Sequence, residues 1–94
     1  MSQLHTINNS ALLAFCAARL QPGDGLVLIE NAVSCATWPD LQQRLPRGVD
    51  LYVLEEDLQA RGLKVGTAST AAEVITMAVF VRLCCDHDKV TNWF

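Results

Sequence analysis

The stretch Leu51-Tyr52-Val53-Leu54-Glu55-Glu56-Asp57-Leu58-Gln59-Ala60-Arg61-Gly62-Leu63 decides the fold, because it predicts a buried strand that runs straight into a short helix. Leu51 to Leu54 are apolar or aromatic and bounded by charge, the pattern of a strand covered on both faces, as in a parallel sheet. Glu55, Glu56 and Asp57 then set negative charge at the positive end of a helix dipole. Arg61 and Gly62 supply a basic last turn and a glycine stop. Strand followed by helix is the mark of an α/β fold.

The same alternation extends in both directions. Leu26-Val27-Leu28-Ile29 is a continuous aliphatic run suited to a central parallel strand, with Glu30-Asn31 at its carboxyl end, where doubly wound sheets form their sites. Upstream, Leu4 to Ile7 predicts a first strand, Asn8-Asn9-Ser10 a helix cap, and Ala11 to Leu20 a helix ended by Gln21-Pro22-Gly23-Asp24. Thr37-Trp38-Pro39-Asp40 resembles a helix start with proline in its first turn, carried by Leu41 to Leu45 until Pro46 and Gly48. Downstream, Lys64 to Ala72 is rich in Gly, Thr, Ser and Ala and predicts a mobile loop. Val74-Ile75-Thr76 predicts a brief strand, and Met77 to Cys85 a helix with Met77, Phe80, Val81 and Cys84 on one core stripe. Val90 to Phe94 predicts a terminal edge strand. The expected architecture is a single small α/β domain over residues 1–94: a mostly parallel five-stranded sheet with helices on both faces and right-handed crossovers.

Composition narrows the function. Ninety-four residues hold one domain, and 51% hydrophobic with 18% charged side chains is rich in apolar groups for so small a chain, so part of that surface is expected in an interface. A net charge of -3 and seven scattered Lys and Arg offer no basic stripe for a phosphate backbone, which argues against direct nucleic-acid binding. Met1 to His5 lacks the regions of a signal peptide, and no apolar run approaches bilayer length, so a soluble cytoplasmic protein without a membrane partner is expected. Cys16, Cys35, Cys84 and Cys85 lack framework spacing and are expected as reduced thiols.

Leu4-His5-Thr6, the strand Leu26 to Ile29 closing on an acid and Asn31, Tyr52-Val53-Leu54 through Asp57-Leu58 and Ala60-Arg61-Gly62, Phe80-Val81-Arg82-Leu83 and Trp93 occur in one order along the whole chain. In that order they resemble the TusB/DsrH family of sulfur-relay subunits. The resemblance implies a DsrE/F-like α/β domain in a cytoplasmic heterohexamer with two homologous subunits, TusC/DsrF-like and TusD/DsrE-like. It also implies a part in passing persulfide sulfur toward 2-thiolation of the wobble uridine of tRNA, or, in related assemblies, in sulfur oxidation. The family's sulfur-carrying cysteine belongs to a partner subunit, so the resemblance carries no catalysis to this chain. One departure concerns the turn after the second strand: Asn31-Ala32-Val33 stands where the family pattern is Asp-Gly-Val, and Ala32 cannot take positive φ as freely as Gly.

Sulfur relay needs an accessible thiolate. Cys16, in the apolar helix run, and Cys35, before the helix expected at Thr37, are the two persulfide candidates. The weightier reading of Cys16 is a small buried hydrophobe. Cys84-Cys85-Asp86-His87-Asp88 gathers possible metal ligands, yet it lacks a second ligand pair and fits a solvated helix end, so no metal is expected. His5, near the end of the first strand, reads as a hydrogen-bonded histidine packed at the sheet end in preference to a base. Glu55, Glu56 and Asp57 read as dipole complements in preference to an acid/base pair. No phosphate loop, Ser-His-Asp set or nucleotide fingerprint is present, so neither a cofactor nor a small-molecule substrate is expected. Trp93 and Phe94 are large apolar groups on a terminus, to be docked on a subunit neighbour or on the domain's own sheet. The alternatives to an auxiliary relay subunit are a sulfurtransferase using its own Cys16 or Cys35, and a free-standing homo-oligomeric module.

Overall fold

The computed structural model describes residues 2–64 and 72–94. Its strands are β1 (Gln3–Ile7), β2 (Gly25–Leu28), β3 (Asp50–Leu54), β4 (Glu73–Ile75) and β5 (Lys89–Trp93). Its α-helices are α1 (Leu13–Ala17), α2 (Glu55–Ala60) and α3 (Met77–Asp86). The sheet order is β4-β3-β2-β1-β5, and every pairing is parallel, beyond the mostly parallel sheet expected. β2 is central and buried at all four residues, as its aliphatic run requires.

Side chains alternate across the sheet. Ile7, Leu26, Leu28, Leu51 and Val53 meet Leu13 and Cys16 of α1, Val33 and Cys35, and Leu58 of α2 on one face. Leu4, Val27 and Ile75 meet Val79, Phe80, Leu83 and Cys84 of α3 on the other. The chain steps from β1 to β4 in one direction and returns to β5 through α3. This reversal puts α3 on the opposite face, as right-handed crossovers demand.

The segment that opened the reading folds as its residues dictate. Leu54 is extended, α2 begins at Glu55, and Gly62 at φ +63° closes the helix, with Gly62 N–H donating to Gln59 O at 3.1 Å and Leu63 N–H to Leu58 O at 2.9 Å. That pair of bonds is a Schellman stop. A Cβ on residue 25, at the start of β2, would stand 2.9 Å from Leu4 Cδ1, so a larger residue there requires the buried Leu4 side chain to shift.

Four expectations are corrected. The helix expected over Ala11 to Leu20 is shorter: Asn9 caps a 3-10 turn at Ser10–Leu12, and the α-helical part covers only Leu13–Ala17. The helix expected from Thr37 to Leu45 is displaced. A 3-10 helix runs earlier, Glu30–Thr37, Trp38 is extended, and a single 3-10 turn follows at Gln42–Arg44. Pro39 pushes the residue before it out of the α region, and the hydroxyls of Ser34 and Thr37 donate back to the carbonyls of Asn31 and Ser34, which tightens the preceding turns. The turn after β2 makes no demand on Ala32. The residue with positive φ is Glu30, at +50°. Finally, the α3 stripe is split: Phe80 and Cys84 pack on the sheet, whereas Met77 and Val81 are 48% and 56% exposed. The stretch read as a mobile loop, Lys64 to Ala72, lies outside the described residues from 65 to 71.

Glu30 sits in the region that costs an L-residue roughly 1–2 kcal/mol. Its N–H, which any residue can supply, donates to Asp57 Oδ2 at 2.7 Å. Glu30→Gly is therefore expected to raise the unfolding free energy by roughly 0.5–1 kcal/mol, after allowing for the extra freedom of glycine in the unfolded chain. Urea titration of the two proteins checks it; a loss of stability would mean that the Glu30 side chain holds the turn.

Candidate functional site

Open α/β sheets bind ligands beyond the carboxyl ends of their strands, where successive connections leave for opposite faces. Here that place lies between β3, followed by α2, and β4, followed by α3. Four backbone donors along this edge are taken by side chains. Ser10 N–H donates to Asn31 Oδ1 at 3.0 Å, Ala11 N–H to Asn9 Oδ1 at 2.9 Å, Glu30 N–H to Asp57 Oδ2, and Met77 N–H to Glu56 Oε1 at 3.3 Å. Amides that cradle phosphate in nucleotide-binding folds are occupied here by the chain's own carboxamides and carboxylates. Glu56 and Asp57 thus do more than complement the α2 dipole: they tie α2 to the elements on either side of it. Sequence reasoning missed these ties, because the partners stand 21 and 27 residues away.

The structure separates the cysteines. Cys16 and Cys35 are fully buried in the main core. Burial pushes the Cys16 thiol up to about 12, and the nearby charge of Asp24 adds to it. Burial pushes Cys35 up to about 11, against smaller opposing effects of a backbone hydrogen bond and of Arg44. Neither thiol has the access or the lowered pKa that sulfur transfer asks for. Cys84 is half-buried and pushed up by burial and by Cys85, while Cys85 is exposed. All four are free thiols. Alkylation of the folded protein at neutral pH is expected to modify Cys85 first and Cys84 more slowly, with Cys16 and Cys35 labelled only at the rate of unfolding. Peptide mass mapping over time checks the order, and early label on Cys16 or Cys35 would contradict it.

Beneath the main core lies a buried polar chain. His5, 2% exposed in mid-β1, places Nε2 3.3 Å from Asp24 Oδ2, and Trp93 Nε1–H donates to His5 Nδ1 at 3.0 Å. An indole nitrogen can only donate, so Nδ1 accepts, and the ring proton stands on Nε2, toward the carboxylate. Asp24 also accepts from Gln3 N–H and Gln21 N–H, each at 3.0 Å. Burial works against its charge, but these backbone donors and His5 outweigh it and hold the carboxyl below the usual range. Trp93 is thus docked on its own domain, and Phe94 beyond it is 69% exposed.

The metal-like run at the end of α3 points elsewhere. His87 Nδ1 bonds to Leu83 O at 2.7 Å as the helix closes. Among the described residues no group of three or more His, Cys, Asp or Glu is arranged to hold a metal. Among the described residues, two open hollows mark the surface. One of about 610 Å³ is walled by Leu45, Pro46, Val49 and Leu51 with Arg47 on its lining. The other, of about 420 Å³, lies between Ala11, Ala14 and Ala17 on one side and Trp38 with Arg44 on the other. Arg44 stacks 4.7 Å over the Trp38 ring and pairs with Asp40 at 3.0 Å. Neither hollow contains a cysteine or histidine.

With this geometry in place, residues 7–90 match the family described as DsrH like protein. The chain belongs to the DsrH-like family. Protein TusB of Shigella sonnei is 36% identical over 95 aligned residues, covering 96% of this chain and 99% of its own. TusB of Klebsiella pneumoniae is 34% identical and TusB of Escherichia coli K12 35%, each with the same coverage. The crystal structure of the ychN protein from E. coli superposes with a TM-score of 0.74 over 99% of this chain and 100% of that one. At 16% identity that likeness establishes the fold alone. The DsrH-like chain has no helix, among its described residues, long and apolar enough to cross a membrane.

Proposed function

We propose that this DsrH-like chain is a non-catalytic subunit of a cytoplasmic sulfur-relay complex, one that passes persulfide sulfur toward 2-thiolation of the wobble uridine of tRNA. In this reading it stands in a heterohexamer with a TusC/DsrF-like and a TusD/DsrE-like chain. The observation that carries the auxiliary role is the complete burial of Cys16 and Cys35, whose thiols stay protonated at neutral pH, inside a fold shared over nearly the full length of the TusB relatives. Exposed Phe15, Met77, Val81 and Phe94 support a chain that completes its surface against others. Phe94, next to the docked Trp93, is placed in that interface.

Co-expression with the two homologous chains, followed by mass determination of the purified assembly, tests the reading. A heterohexamer with two copies of each chain is expected. A chain that elutes alone, or as a stable homo-oligomer, in their presence would overturn it in favour of a free-standing module.

A further inference from the structure

We propose that His5 is a proton-operated latch for the C-terminal strand: a proton added at Nδ1 releases Trp93 and, with it, β5 from the edge of β1. The indole N–H and Nδ1 are 3.0 Å apart, with their ring planes within 20° of each other. The contact works in one direction only, since the indole cannot accept. A proton on Nδ1 sets two donors face to face and ends the bond, while Nε2–H stays on Asp24, whose carboxylate then partners an imidazolium.

The groups around His5 do not compete with it for the added proton. Asp24, from the turn before β2, is held ionised by the Gln3 and Gln21 amides. Cys16 of α1, which feels the charge of Asp24, remains a neutral thiol. Thr91, opposite His5 on β5, and Gln3, which donates to it, do not ionise.

β5 is suited to leave without unfolding the domain. Among the described residues it is an edge strand paired to β1, Val90 and Asn92 are exposed, its other side-chain hydrogen bonds are Thr6 to Asn92 and Gln3 to Thr91, and Trp93 packs only partly buried against the main core. Release bares the N–H and C=O row of β1, a template for another extended segment. It also frees Trp93 together with Phe94.

The test is a ¹⁵N–¹H NMR titration of the full chain from about pH 8 to about pH 5, the span in which histidines exchange their proton. Trp93→Phe assigns the two indole signals. The expected result is a one-proton transition of the Trp93 indole, with the β5 amides moving and losing order at the same midpoint, while the Trp38 indole and the β2 amides hold. His5→Gln, neutral and still able to accept, is expected to abolish the transition. A Trp93 signal that stays fixed, that moves only together with the β2 amides, or that titrates unchanged in His5→Gln would overturn the latch. Should His5→Gln fail to fold, Trp93→Phe serves in its place: its β5 amides are expected to show no coupled transition, and a full one would overturn the proposal.

Discussion

Asp24→Ala is expected to destabilise the domain by about 3–5 kcal/mol, among the largest effects of any single change, because it strands three donors at once in a buried site. Gln3 N–H, Gln21 N–H and His5 Nε2 all converge on this carboxylate, which is 5% exposed. Against a total stability of roughly 5–15 kcal/mol for a domain, that is a substantial part of the whole. Urea denaturation followed by circular dichroism measures it, and a loss under about 1 kcal/mol would mean that water replaces the lost acceptor. The same residue sets the acid limit. Its folded-state pKa lies below the unfolded value of 3.8, so the unfolded chain takes up the proton more readily. The stabilisation is complete above that value and is lost as the pH falls through the lower, folded-state pKa. Loss of stability in strong acid is thus expected to be steeper in the natural chain than in Asp24→Asn.

The second large effect is expected at Leu41, where Leu41→Ala is predicted to cost about 2–5 kcal/mol. Leu41 is fully buried in the main core, although it belongs to a segment that holds only a 3-10 turn between Pro39 and Pro46. On a surface helix of the kind the sequence suggested, one leucine would share its burial with neighbours at helical spacing. Here it is the fully buried residue of the segment: Gln42, Gln43 and Arg44 after it are exposed, and Trp38 and Leu45 pack only partly buried against the same core. A cost under about 1 kcal/mol would show that the segment collapses around the gap or is held by the Arg44–Trp38–Asp40 stack instead.

What the sequence made legible follows from locality. The phase of β3 and α2 was readable because the strand, acidic entry and glycine stop are consecutive. β2 was readable because four aliphatic residues in a row need two covered faces. The parallel sheet followed from the alternation of strands and helices, whereas the strand order β4-β3-β2-β1-β5, with β5 beside β1, had no local signal in the sequence. The misreadings sit where a competing local bond or a distant partner decides. Ser34 and Thr37 bond back to the main chain and tighten the stretch Glu30–Thr37 into a 3-10 helix. Met77 and Val81 share the helical spacing of Phe80 and Cys84, but periodicity reports an apolar helix without saying how much of it the sheet covers. His5 is hydrogen-bonded, as its sequence setting suggests, but it lies buried in the middle of β1 and not at the sheet end. Asp24 was read only as part of a turn, because its partners His5 and Gln3 lie 19 and 21 residues away and Trp93 joins from the other end of the chain. Likewise, the burial of Cys16 was readable from its apolar neighbours, whereas that of Cys35 depended on a helix in an unexpected place.

The central claim, that this chain shapes a relay without carrying its sulfur, is tested most directly by loading the co-expressed complex with a sulfane-sulfur donor and weighing each chain intact under non-reducing conditions. The account predicts an added sulfur on a partner chain and none on this one, with Cys16→Ala and Cys35→Ala leaving the loading unchanged. An added sulfur on Cys16 or Cys35 of this chain would contradict it.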